Sequence, residues 1–356
     1  MASRAILATI LPDTPPSALR LSLDHDALVE NWRALDRLSG AARAGAAVKA
    51  DGYGLGAQRV VRALAEAGCV DFFVAHLNEA APLLELVPAA SLAVLHGPLT
   101  PQDAAYARSV GIRPVINSLR QAQLWIEAGG GYCDLMIDTG INRLGVPLTD
   151  LGDPVLRGLK IDVLHSHLAS ADEDSPQNER QRRRWDEARS HVPHARASLA
   201  NSAGITLGAD YHGDLTRPGL ALYGGVPCAA LAGVIQQVAR PEAAIMQVRQ
   251  VEAGNAIGYN GTFVAPAAMR VGVISLGYAD GYLRCWSGIG AMLAEQARLP
   301  VLGRVSMDMT VIDLSAAPGL GEGDWVTADY ALPEAAALTG LSQYELLTTL
   351  GRRFAR

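Results

Sequence analysis

Lysine is nearly missing from this 356-residue chain. Of its 30 basic residues only Lys49 and Lys160 are lysines, so positive charge is otherwise supplied by Arg. A lysine kept in an apolar setting then points to chemistry, because only Lys offers a primary amine that can lose its proton and attack a carbonyl. Lys160, in RGLKIDV at the start of a strand-like run, reads as incidental. Cysteine is also sparse. Cys69, Cys133, Cys228 and Cys285 are scattered with no C-x-x-C, which excludes a zinc-type spacing and fits reduced thiols better than disulfides. No metal site is expected. No apolar run approaches the roughly 20 residues of a membrane span. The first residues lack a signal-peptide core and an A-x-A site, so a cytoplasmic location is expected. The net charge of −6 gives no electrostatic reason to expect a nucleic-acid partner. No G-x-G-x-x-G follows the first strand-like run, which tells against an open dinucleotide-binding sheet.

What is present is a 49 % hydrophobic composition, enough for an ordinary core, over a length that suggests two or three domains. Short apolar runs recur at 46–50, 72–75, 92–97, 113–117, 134–138, 161–167, 196–201 and 215–224. Amphipathic or Ala-rich stretches at 26–38, 57–67, 78–86, 101–109, 119–128 and 176–190 separate most of them. Eight strands alternating with helices predict a (β/α)8 TIM-type barrel in an α/β chain. The pattern changes near residue 236. Runs at 244–251, 269–276 and 299–302 are divided by turns such as GYADGY and PGLGEGD, with helices expected at 332–339 and 342–350. The expected division is a tail over 1–17 that pairs with the second domain, a barrel over 18–235, and a mainly β domain over 236–356.

Active sites of such barrels lie at the C-terminal ends of the strands. Lys49, at the end of the first strand and before the glycine-rich DGYGLG turn, falls there. Partial burial would lower its amine pKa. Alone, it could equally be a rim lysine paired with an acid. The other strand ends add polar residues: Asp138, Asn142 and Arg143; His165, Ser166 and His167; Asn201 and Ser202; Arg217, Gly219 and Leu220. His165 and His167 share a strand face, but no third ligand with metal spacing accompanies them. One of them reads as a structural, hydrogen-bonded histidine.

The segments AVKADGYGLGA, DTGINRLG, HSHLASAD, NSAG, RPGLALYGG, IGYNGTF, SLGYADGY and GRVSMDMT occur in this order. Together they closely resemble the alanine racemases, pyridoxal-phosphate (PLP) enzymes of fold type III, over about residues 18–350. The resemblance implies that Lys49 is bound covalently to PLP. It implies that Tyr53, Ser202, Gly219 and Leu220 hold the cofactor phosphate. Arg217 matches the arginine facing the pyridine nitrogen, and His167 its hydrogen-bonded neighbour. Arg143 matches the arginine near the phenolic oxygen and the substrate carboxylate. Tyr259 matches the second catalytic base, supplied by the other chain of a homodimer. Met307 matches a backbone contact to the carboxylate, with Asp308 beside it. Tyr278, Arg284 and Arg304 match the entrance.

Racemisation takes the Cα proton from one face and returns one to the other. Two bases on opposite faces, Lys49 and Tyr259, avoid a single base having to cross. The implied activity is interconversion of L- and D-alanine for peptidoglycan precursors. A racemase acting on serine or a broader set of amino acids is the alternative on the same scaffold. A PLP-binding homeostasis protein is the non-enzymatic one, though that class lacks a second domain. Three positions depart from the family pattern. Ser306 stands where many members have Cys. Arg352 stands where many have a phosphate-reaching Tyr. Met136 stands where many carry a carbamylated lysine that orients the arginine matching Arg143. A small anion, water, Asp138 or Asn142 is expected to take over that last task.

Overall fold

The computed structural model describes residues 15–351 and 353–355. They form two compact units. One comprises Ser22–Arg240 with Asp329–Leu350; the other comprises residues 15–21, Pro241–Ala328, Gly351 and residues 353–355.

Strand β1 (Leu19–Leu23) leads into a helix over His25–Leu38. Asp24 caps that helix by accepting from Ala27 N, and the helix buries Leu28, Trp32 and Leu35. The barrel strands follow: β2 (Arg43–Ala44), β3 (Ala46–Ala47), β4 (Phe72–Val74), β5 (Leu92–Val94), β6 (Arg113–Ile116), β7 (Tyr132–Asp138), β8 (Val146–Pro147), β9 (Lys160–His165), β10 (Arg196–Ser198) and β11 (Leu215–Thr216). All pair in parallel, in the order β3-β4-β5-β6-β7-β9-β10, with β8 beside β7. The ring closes where β11 pairs with β2 and where Ala47 N donates to Pro218 O at 2.9 Å. Runs such as Phe72–Val74 and Leu92–Val94 are wholly buried, as strands covered on both faces must be. Gly45 divides β2 from β3, and a Cβ there would sit 2.7 Å from Asp71 O. Thr100, Ser118 and Ser175 cap the helices Pro101–Val110, Leu119–Glu127 and Pro176–His191.

The structure therefore contains the expected barrel, with three local corrections. The strand read over 46–50 stops at Ala47, because the residues after Lys49 adopt left-handed angles. The strand read over 215–224 is only Leu215–Thr216, because Pro218 and Gly219 end it before a 3-10 turn over Leu220–Tyr223. The helix read over 78–86 is a short helix, Leu77–Ala80, followed by a 3-10 turn, Ala81–Leu83, that contains Pro82.

Charged residues fill the N-terminal end of the barrel. Arg113 donates to Asp71 at 3.0 Å and to Asp162, and its Nε lies 3.7 Å from Asp134. Arg196 forks onto Asp71 at 2.8 and 2.9 Å and also reaches Asp162. Asp134 meets His165 Nε2 at 3.1 Å. Burial alone would raise the Asp134 pKa, but the Arg113 charge and the His165 bond hold it below the usual carboxylate range. Removing one partner of a buried pair leaves the other uncompensated, at a cost of about 3–5 kcal/mol.

The other unit is built on antiparallel pairing. Its strands are β12 (Ala239–Val251), β13 (Ala256–Ile257), β14 (Phe263–Val264), β15 (Met269–Ile274), β16 (Ala291–Ala294), β17 (Ala297–Leu302), β18 (Thr310–Asp313) and β19 (Trp325–Ala328). The sheet runs β1-β12-β15-β18-β17-β16-β19, with β19 also pairing back to β12. Ser17 Oγ donates to Arg353 O at 2.7 Å, and Leu21 N to Ala355 O. The rest of the expected tail, residues 1–14, lies outside the described residues. The helices Leu332–Thr339 and Gln343–Thr348 group with the barrel unit. Among the described residues no helix is long and apolar enough to cross a membrane.

Candidate active site

A cavity of about 610 Å³ opens among the C-terminal ends of the barrel strands. Its wall brings together the expected Lys49, Tyr53, Arg143, His167, Ser202 and Arg217, with Gly219 and Leu220 beside them.

Lys49 is placed by an unusual turn. Ala50, Asp51, Gly52 and Tyr53 have φ of 54°, 54°, 64° and 55°. For L-residues this conformation costs roughly 1–2 kcal/mol each, so the turn must be held from outside. Asp51 Oδ1 accepts from Ala57 N at 2.9 Å, and Glu79 Oε1 from Ala50 N at 2.9 Å. Burial lowers the Lys49 amine pKa, and the charges of Arg143 and Arg217 add to that, while Glu79 opposes it.

Around Tyr53 the cavity wall is rich in donors. Ser202 Oγ accepts from Gly219 N at 2.9 Å and Ala221 N at 3.2 Å, which leaves its own proton to donate. Leu220 N opens the 3-10 turn, so its N–H is among those that helix geometry leaves without an intrahelical acceptor. Tyr53 stacks on Tyr223 with ring centroids 4.6 Å apart, and its hydroxyl lies against Gly219. Such converging donors suit a phosphate.

Arg217 is 7 % exposed and donates to Ser198 Oγ and Ser166 O. It shares the cavity with His167, but its hydrogen bonds go to those two groups and to Leu199 O. Burial pushes its pKa down to about 10, so it keeps its charge near neutrality. His167 is pushed down to about 3 by burial, then by Arg217, Arg143 and Lys49, so it is a neutral imidazole. His165 is the structural histidine of the pair: it is fully buried, bonded to Asp134 and edge-on to Phe73.

Met136 lines the same cavity as Arg143. Asp138 is committed to its own loop, with Oδ1 accepting from the amides of Gly140, Ile141 and Asn142. Arg352 lies outside the described residues.

The cavity also contains residues that sequence reading passed over. His96 and Asn117 lie at strand ends, and Tyr344 comes from the helix Gln343–Thr348. His96 packs edge-on against His76, with ring centroids 4.3 Å apart. The signal for His96 and Asn117 was available, since both close apolar runs already read as strands. Nothing local marks Tyr344.

The remaining expected residues belong to the other unit. Tyr259 is 65 % exposed in a turn over Tyr259–Gly261 that Gly258 enters at φ 74°. Met307 is 53 % exposed. The turn Tyr278–Asp280 is tied to the Met307 loop: Tyr278 N donates to Ser306 O and Ala279 N to Met307 O, both at 3.0 Å. Arg284 stands 5.3 Å over the Tyr278 ring, and Arg304 is exposed. Arg353 forks onto buried Asp280 and reaches Asp308 at 2.7 Å.

A closed barrel with a strand-end cavity holding a lysine, two arginines and a donor cradle defines the class: a TIM-type barrel with a rim site for an anionic ligand. Residues 23–227 match the family described as alanine racemase, N-terminal domain, and residues 238–356 match its C-terminal domain. The chain belongs to the alanine racemase family. It is 40 % identical to the biosynthetic alanine racemase of Agrobacterium fabrum over 364 residues, covering 95 % of this chain and 93 % of that one. It is 41 % identical to the catabolic alanine racemase of the same organism, covering 94 % and 91 %. Among solved structures it is similar to the alanine racemase of Bartonella henselae with covalently bound pyridoxal phosphate. The TM-score is 0.87 at 31 % identity, covering 96 % of this chain and 99 % of that one.

Proposed function

We propose that this chain is a PLP-dependent alanine racemase that interconverts L- and D-alanine with two bases. The observation that carries the reading is the convergence of Lys49, Arg217, Arg143, Tyr53 and Ser202 on one cavity in a chain of this family. When bound, PLP supplies a carbonyl that links to an amine and a ring that takes up the electron pair released from Cα.

The residues divide the work. Tyr53 and Ser202 would bind the phosphate through hydroxyls and Leu220 through its backbone N–H, while Gly219, whose N–H goes to Ser202 Oγ, lines the same cradle. Lys49 would hold the cofactor covalently, and the lowered pKa of its free amine suits it to take or give the Cα proton on one face. Arg217 keeps its charge and would stand at the ring nitrogen, where an arginine does not give up its proton outright. His167, neutral and beside it in the cavity, adds no competing charge. Arg143 orients the substrate carboxylate, with a small anion or water in place of the carbamate that Met136 cannot form. Tyr259, from a second copy of the chain, moves the proton on the opposite face, so the active form is a homodimer. Met307 contributes its backbone to the carboxylate, and Tyr278, Arg284 and Arg304 line the entrance. In this division the barrel over 18–235 holds the cofactor and the domain over 236–356 supplies the second base. The reaction takes place in the cytoplasm and provides D-alanine for peptidoglycan.

The test is an assay of purified protein with added PLP against a panel of L- and D-amino acids. Alanine racemisation in both directions is expected. A rate on serine or another amino acid well above that on alanine would overturn the substrate assignment.

A further inference from the structure

We propose that Glu79 is a positioning residue for Lys49, its carboxylate fastening the left-handed turn after the lysine to the end of the neighbouring strand β4. This rests on the reading of Lys49 as the cofactor lysine.

Glu79 sits in the short helix Leu77–Ala80, where its side chain accepts from the backbone of the N-cap residue His76. That local task uses one oxygen only. Oε2 accepts from Ala75 N at 2.7 Å and His76 N at 3.4 Å. Oε1 turns the other way and accepts from Ala50 N at 2.9 Å, 29 positions away in sequence. Ala50 is the residue that follows Lys49 and the first of the four with positive φ. One carboxylate thus spans the ends of two adjacent strands, since β3 pairs with β4 and Val48 N donates to Phe73 O. A helix cap alone would not need the second bond. A strained turn does, because an unheld one relaxes to ordinary angles and re-aims the side chain it carries. Asp51, bonded to Ala57 N, secures the other end of the same turn.

The electrostatics agree with the geometry. The charges acting on Lys49 are Arg143 and Arg217, which lower its pKa, and Glu79, which raises it. His96 and His167 face the same cavity, and burial lowers the pKa of both. Removing the charge of Glu79 therefore shifts Lys49 further down.

Full-length Glu79→Gln, Glu79→Ala and Glu79→Asp proteins test this. Lys49 labelling by an amine-reactive reagent is followed against pH without cofactor, with Lys160 as internal reference. PLP affinity and thermal unfolding are measured alongside. In Glu79→Gln the Lys49 labelling midpoint should move to lower pH while that of Lys160 stays. In Glu79→Ala PLP affinity should fall about tenfold or more. Glu79→Asp should keep the midpoint near that of the parent but bind PLP more weakly, because the shorter side chain cannot span both strands. A lowered unfolding temperature with unchanged Lys49 midpoint and PLP affinity would show a merely structural cap and overturn the proposal. Failure of the cofactor-lysine reading is seen separately, as a borohydride-trapped label on a residue other than Lys49 in the parent protein.

Discussion

The hydroxyl of Tyr53 fills the space that a side chain at Gly219 would need: a β-carbon there would overlap Tyr53 Oη and press on its ring carbon. The strand-end glycine and the tyrosine of the lysine turn are thus fitted to each other. Gly219→Ala should push Tyr53 off the donor cradle while leaving the buried Tyr223 behind it. PLP affinity is expected to fall by about tenfold or more, as when a charge-assisted hydrogen bond is lost. Cofactor titration followed by fluorescence, with circular dichroism to confirm the fold, checks it.

Lys49 should carry the cofactor. Borohydride treatment of the PLP-loaded protein is expected to leave a pyridoxyl group on the Lys49 peptide. Lys49→Ala should abolish it, whereas Lys160→Ala should not. Peptide mapping by mass spectrometry reads the result, and a label on Lys160 would contradict the site.

Loss of the Tyr259 hydroxyl should stop proton movement on one face without loosening the cofactor. Tyr259→Phe is expected to bind PLP normally and to lose racemisation in both directions by about 10²-fold or more, the lower end of general acid–base contributions. Mixed with Lys49→Ala chains, it should regain activity in exchanged dimers. No regain after subunit exchange proven by mass spectrometry would count against a shared site.

Acid should destabilise the fold through two histidines. Burial, with the charge of Arg217, holds His165 down to about 4 and His167 to about 3, against 6.5 for the free side chain. Both are neutral when folded and take up protons on unfolding below pH 6.5, so the stability they lend is complete above that pH. It is lost as pH falls toward their folded values. The slope approaches about 1.4 kcal/mol per pH unit for each. Urea midpoints between pH 7 and pH 4.5 measure it in the cofactor-free protein. His167→Asn should remove one histidine's share of the slope.

Much of this was legible in the sequence, for identifiable reasons. Wholly buried strands such as Phe72–Val74 stand out as unbroken apolar runs, and Thr100 and Ser118 announce the helices they cap. Lys49 and Ser202 could be placed because each falls at the end of a strand-like run, and Arg217 because it lies within the last one. The left-handed turn over 50–53 could not, because Ala50 and Tyr53 give no local sign of positive φ, and a long-range bond from Glu79 joins the local one of Asp51 to sustain it. Tyr344 escaped for a similar reason: its helix reads as part of the β-rich segment, yet it lines the barrel cavity. Asp138 reads as a free strand-end carboxylate, and only the folded loop shows three amides on its Oδ1.

The charges at the N-terminal end of the barrel bear on how the chain folds. Asp71, Arg113, Asp134, Asp162 and Arg196 come from strand units spread across 125 positions, and the fork of Arg196 onto Asp71 joins the two most distant of them. No stretch of a single βα unit can neutralise its own share. A nascent half-barrel that ends before Arg196 leaves the carboxylates of Asp71, Asp134 and Asp162 facing the single charge of Arg113, so it gains little by collapsing early. The last strands therefore complete the electrostatics of the first ones, and closure of the ring becomes a single cooperative event with high contact order. The site on the opposite rim inherits that all-or-none character: its lysine turn and its donor cradle, set on the first and last strands, are brought together only when the ring is whole.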